Sequence, residues 1–221
     1  MLLTKEDLTI LSQNGWLYKQ NNTAFNILDI GQQLGQPIPA KKGRNLIDII
    51  TPKTRENAKP GSLSSIYGLD EIPFHTDGVY HKIPPHYVIF SFSHDLPYSS
   101  AIKILDFESI KFTEDEIKTL FYEVWIVEDG YNKFYASVLS KFADKNTIFL
   151  RYNEACMKPC QSMAKDSAML LKDNLNTSTP KNINFQPFSI LILNNWRILH
   201  GRDKVENSQY VNFALQRLFI V

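Results

Sequence analysis

The sequence predicts a mainly β fold, a barrel or sandwich with a few peripheral helices. Three observations carry this. Short β-rich runs separated by loops dominate the chain from about residue 85 onward. The regular helix–strand alternation that builds a parallel sheet is missing, and neither a GxGxxG nor a P-loop occurs. The 221 residues, 43% hydrophobic and 21% charged, suit a single well-buried domain spanning 1–221, with residues 1–60 as a helical and loop cover.

Taken in order, Thr4 followed by Asp7 opens a helix running to about Asn14, with Gly15 as its stop. A second helix reads from Thr23 to Leu34 and ends at Gly35. Residues 36–65 are rich in Pro, Gly and Ser and read as loop, with one short strand at Leu46–Ile50. Strands are expected at Pro85–Phe92, Ala101–Asp106, Val124–Val127, Lys133–Leu139 and Thr147–Tyr152. Thr113 and Glu116 form a capping pair for a helix over Thr113–Tyr122, and another helix covers Ser162–Leu175. Phe188–Leu193 and Val211–Val221 are the closing strands.

Charge and composition exclude several functions. Lys and Arg number 24 against 23 Asp and Glu, so no basic excess points to nucleic acid. Phe188–Leu193 is far too short to span a bilayer, and Lys5 interrupts the N-terminus before a signal-peptide core can form. Cys156 and Cys160 are too few for a disulfide framework and lack companions for a closed zinc site. The expected compartment is the cytoplasm, and the expected partner is a small-molecule substrate.

The chemistry lies in three residues. His75 and Asp77, in IPFHTDG, are two apart, so on a strand or its extension both face one side. His200, in ILHGR, follows an apolar strand and offers a third ligand. Two imidazoles and one carboxylate on one face of an ion leave coordination sites open, the arrangement of non-haem iron(II) oxygenases. The bland reading of an isolated HxD is a structural or surface pair, the status assigned to His81, His86 and His94.

The flanking residues tip the balance. SLSSIYGLDEIPFHTDGVYHKIPPHYVIF resembles the first metal-binding segment of the taurine dioxygenase-like (TauD/TfdA) family, and LILNNWRILHGRDK its second. FLRYNEACMKP and LQRLFIV resemble further segments, in the same order along the chain. The resemblance implies a double-stranded β-helix (jelly roll, cupin-like) holding Fe(II) through His75, Asp77 and His200. It also implies 2-oxoglutarate as co-substrate, decarboxylated to succinate with dioxygen as oxidant, and hydroxylation, desaturation or ring formation as the outcome. Asp77 disfavours halogenation, because halogenating relatives give up that ligand.

The pattern departs from the family at two positions. Phe213 stands where an arginine usually anchors 2-oxoglutarate, and Ile102 stands where a strand threonine is expected. Arg217, in phase with residue 213, is then the candidate anchor, with Arg197 and Arg202 as alternatives. Ser65, Tyr67 and Arg151 are candidate substrate contacts, and Lys103 on AIKILD either faces solvent or lends charge to the pocket. These departures leave open an iron oxygenase that does not use 2-oxoglutarate, and a non-catalytic barrel.

Overall fold

The structure is a computed structural model describing residues 2–94, 101–130, 132–142, 147–160, 164–205 and 214–221. The larger sheet contains β1 (Trp16–Gln20), β2 (Pro37–Ile38), β3 (Ile47–Ile50), β5 (Tyr87–Phe92), β13 (Ser189–Asn194) and β15 (Leu215–Ile220). Its order is β1-β13-β5-β15-β2, with β3 also on β15. The second sheet runs β12 (Lys181–Ile183), β6 (Ile102–Asp106), β14 (Ile198–Arg202), β4 (Ile72–His75). Smaller sheets pair β11 (Met157–Pro159), β7 (Trp125–Glu128) and β8 (Lys133–Ala136), and β10 (Ile148–Leu150) with β9 (Leu139–Lys141). All the pairings are antiparallel.

Alternation along the strands sorts side chains into layers. Val88, Phe90, Phe92, Leu191, Leu193, Leu215 and Phe219 of the larger sheet meet Ile102, Ile104, Ile183 and Ile198 of the second in one core. Their neighbours Ile89, Ile190, Ile192, Leu218 and Ile220 point the other way, into a cluster shared with Leu11 of α1 (Lys5–Asn14) and Ile27 and Ile30 of α2 (Ile27–Leu34). Leu105 and Leu199, on the back of the second sheet, join Leu120 of α4 (Glu114–Tyr122) and Leu171 and Leu175 of α5 (Ala164–Thr177). Being covered on both faces explains why VIFSF and SILIL are almost continuously apolar. Each fully buried Leu, Ile or Phe contributes about 1.5–3 kcal/mol through area removed from water.

The caps behave as the sequence predicts at α1, where Thr4 and Asp7 close a capping box and Gly15 ends the helix at φ 75°. They do so again at α4, where Thr113 and Glu116 cap each other. The second helix starts later than expected, at Ile27, because the Asn26 side chain accepts hydrogen bonds from Leu28 N and Asp29 N and fixes the N-cap there. The expected strand Lys133–Leu139 breaks into β8 and β9, which pair with different partners. The 36–65 segment contains β2 and the start of a short helix, α3 (Leu63–Tyr67), besides β3. Residues 1–60 do more than cover the barrel, since β1, β2 and β3 are strands of its larger sheet. Ser162, and positions 211–213 of the last predicted strand, lie outside the described residues. Among the described residues no helix is long and apolar enough to cross a membrane.

Candidate metal centre

Register brings the two histidines together. β14 pairs with β4 so that His200 stands opposite His75, and with β6 so that His200 stands opposite Ile104. The strands can approach because residue 201 is glycine: a Cβ there would lie 2.6 Å from the Ile72 carbonyl oxygen. His200 is in phase with Ile198, so its ring enters the space between the two sheets. Asp77 follows the end of β4 in a turn closed by Gly78 at φ 66°, where a Cβ would meet Pro85 at 2.6 Å. Buried Asn195 holds that turn. Its Oδ1 accepts from Asp77 N at 2.8 Å and its Nδ2 donates to the carbonyls of Asp77 and Pro85, both at 3.0 Å.

His75, Asp77 and His200 are 6%, 5% and 4% exposed, and one potential ligand atom from each lies within 4.8 Å of the others. His75 Nε2 is 4.0 Å from Asp77 Oδ1, and His200 Nε2 is 3.7 Å from Asp77 Oδ2. Those separations are too long for hydrogen bonds, yet a single ion can span them. His75 Nδ1 lies 2.8 Å from the Pro73 carbonyl; donation there assigns the proton to Nδ1 and turns the Nε2 lone pair toward Asp77. His200 Nδ1 is buried with no hydrogen-bond partner among the described residues. Two inward-turned imidazoles that neither donate to nor accept from each other are a poor hydrogen-bonding cluster and a good donor set for a divalent cation.

Arg217 closes the constellation. It lies on β15 in phase with Leu215 and Phe219 and therefore points between the sheets. One nitrogen, Nη1, donates to both Asp77 oxygens at 3.0 Å, while Nη2 donates to Asp48 Oδ2 at 2.8 Å. Phe90, the cross-strand neighbour of Arg217, packs its ring edge-on to His200 with centroids 5.4 Å apart.

The electrostatics follow from burial and these contacts. Burial pushes His200 down to about 3, helped by the His75 ring and opposed by Asp77. His75 is lowered as well, by burial first and by Arg217. For Asp77, burial works to raise the pKa, but the Arg217 guanidinium beside it holds the carboxyl below its usual range. Burial also opposes the charge on Arg217, and Asp77 and Asp48 more than compensate. The centre thus presents two neutral imidazoles and one carboxylate, the protonation states a metal requires.

Solved structures share this architecture. Asparagine oxygenase AsnO superposes with a TM-score of 0.74 at 16% identity, over 98% of this chain and 77% of that one. The non-haem iron oxygenase OrfP, in complex with Fe, succinate and (3S)-hydroxy-L-Arg, gives 0.71 at 12% identity, over 98% and 79%. The PvcB protein from Pseudomonas aeruginosa gives 0.69 at 12% identity, over 96% and 78%. The fold is that of non-haem iron oxygenases. A scan against protein-family models found no match to the sequence, and neither did a search of curated proteins.

Within this oxygenase fold the other sequence candidates separate. Arg197 is bound to Asp106 through Nε and Nη2, and Arg202 donates to the carbonyls of Gly68 and Asp70, so neither reaches the triad. Lys103 pairs with Glu71 and Asp203 on the back of the second sheet, so of its two readings the one that turns it away from the pocket holds. Ile102 faces the central core, and Phe213 lies outside the described residues. Arg151 is 2% exposed; it donates to the carbonyls of Val79, His81 and Lys82, pinning the loop just after Asp77. Ser65 donates to the carbonyl of Ser62, the N-cap of α3, and Tyr67 donates to Glu154 at 2.9 Å. Asp48 and Asn195 are not recognisable as site residues from the sequence. Asp48 carries no motif, and its role appears only once the strands pair. A buried-strand boundary reading NNW was the available hint for Asn195.

The neutral histidines make the metal-free protein acid-sensitive in a defined window. Both have folded pKa values below the unfolded value of about 6.5, so unfolding takes up protons as pH falls beneath it. Stability is therefore retained above about pH 6.5 and lost progressively as pH falls below it. Urea unfolding of metal-free protein across that range measures the slope, which the double substitution His75→Gln, His200→Gln is expected to flatten.

Proposed function

We propose that the chain is an Fe(II) oxygenase whose metal is held by His75, Asp77 and His200, with 2-oxoglutarate and dioxygen as co-substrates and a small metabolite as substrate. The observation that supports this best is the convergence of three deprotonated ligands inside the iron-oxygenase fold. Iron bound there supplies the redox chemistry that couples dioxygen reduction and 2-oxoglutarate decarboxylation to substrate oxidation. The chain's own contribution is positioning and exclusion of water. Pro73 and Asn195 fix the ligands, Phe90 and Ile104 keep the floor of the site apolar, and Arg217 supplies the cation for a co-substrate carboxylate. AsnO and OrfP hold hydroxylated amino acids in other structures, which makes amino acids the first substrates to screen. Tyr67, Ser65 and Arg151 belong to the walls around that substrate in this reading, Arg151 by holding the 79–82 loop rather than by direct contact.

A second reading, an iron oxygenase that takes its electrons from the substrate, is favoured by one observation. Arg217 already satisfies two carboxylates, and Ile102 offers no hydroxyl. Adding 2-oxoglutarate to the anaerobic Fe(II) protein separates the two. A weak visible charge-transfer band, followed by succinate in air, is the expected result; a protein that binds iron but gives neither supports the second reading.

A further inference from the structure

Asp48 is a charged group at the centre that no part of the proposed chemistry uses. It sits on β3 directly opposite Arg217 of β15, and the strand phase that turns Arg217 inward turns Asp48 inward with it. The result is an alternating row of charges, Asp48, Arg217, Asp77, with contacts of 2.8 Å and 3.0 Å. Arg217 is held at both ends: its Nη2 is tied to Asp48 while its Nη1 straddles the oxygens of Asp77. A guanidinium on both oxygens of a metal-binding carboxylate competes with the metal for the same lone pairs, and its positive charge repels the ion. A second carboxylate on its far side offsets that charge and holds the guanidinium in place.

We propose that Asp48 is a positioning residue that sets the metal affinity of the triad through Arg217, neutralising the guanidinium and limiting its hold on Asp77. The inference rests on reading the triad as a metal site. It makes a prediction of sign that a merely structural role does not share. Asp48→Asn leaves Arg217 with Asp77 as its only anionic partner and adds a positive charge near the ion, so affinity falls. Arg217→Gln frees Asp77 and leaves Asp48 uncompensated, so affinity rises. The double substitution removes one charge of each sign and returns close to the original value.

Anaerobic calorimetric titration with Co(II), a redox-silent probe, without co-substrate, reads these affinities directly. Asp48→Asn is expected to bind about tenfold more weakly, in the range known for partners of metal ligands. Arg217→Gln is expected to bind several-fold more tightly, and Asp48→Glu, which keeps the carboxylate, to stay near the unaltered protein. Circular dichroism confirms folding of each variant. Should Asp48→Asn fail to fold, the rise in Arg217→Gln and the near-normal affinity of Asp48→Glu still decide. Weaker binding in both single variants, or no change in Asp48→Asn, overturns the inference and leaves the metal site standing. Failure of the unaltered protein to bind Co(II) overturns both.

Discussion

Asp77→Ala is expected to abolish measurable Fe(II) binding and, in metal-free protein, to lower stability by about 3 kcal/mol. Two separate losses combine. The triad keeps two imidazoles on one side and no anion, which leaves a divalent cation without the charge that draws it out of water. Arg217 meanwhile loses the partner of its Nη1 and keeps only Asp48 on Nη2, inside a region walled by Phe90, Leu215 and Phe219. Stripping one member from a buried ion pair costs about 3–5 kcal/mol when nothing replaces it, and the surviving contact to Asp48 together with the partial exposure of the Arg217 side chain places this case at the lower end. Urea unfolding without metal measures the second loss, and anaerobic Fe(II) titration measures the first. Undiminished stability would mean that the Arg217–Asp77 contact is not formed in solution.

How much of this was legible in the sequence depends on the range of the interaction concerned. Local signals were read correctly where a cap or an alternating run decides the structure: Thr4 with Asp7, Thr113 with Glu116, and the apolar strand around Ile190–Leu193. Strand β1 was not legible, because WLYKQ gains its identity from pairing with β13 rather than from its own composition. The same holds for β11 and β12, three residues each, which exist because Met157 meets Val127 and Asn182 meets Lys103. At the site, the convergence of the HxD pair with the distant histidine could be read because few residue types can serve as metal ligands, which made these three stand out together. Asp48 could not, since any of the chain's acids fits a strand end, and its partner at 217 is far along the chain. The direction of Lys103 was open for a related reason. Alternation permits either face until Glu71 and Asp203 are seen to flank it.

His200→Ala gives the contrasting result: metal binding weakened more than 100-fold, beyond what loss of an outer partner produces, with stability changed by only about 1 kcal/mol. His200 differs from Asp77 in what it leaves behind. Its ring makes no ion pair in the metal-free state and keeps one buried nitrogen without a partner, so removal relieves an unsatisfied polar group worth about 1–3 kcal/mol. That gain offsets most of the cost of the cavity opened beside Phe90 and Ile104, which for a large-to-small change in a core is about 2–5 kcal/mol. A small stability change on removing so buried a side chain would favour a role in ligation over one in packing. The measurement is therefore paired: a urea midpoint close to that of the unaltered protein, and a Co(II) titration with no saturable site at micromolar metal. A large stability loss with metal binding intact would assign His200 to the core, and the oxygenase reading would fall with it.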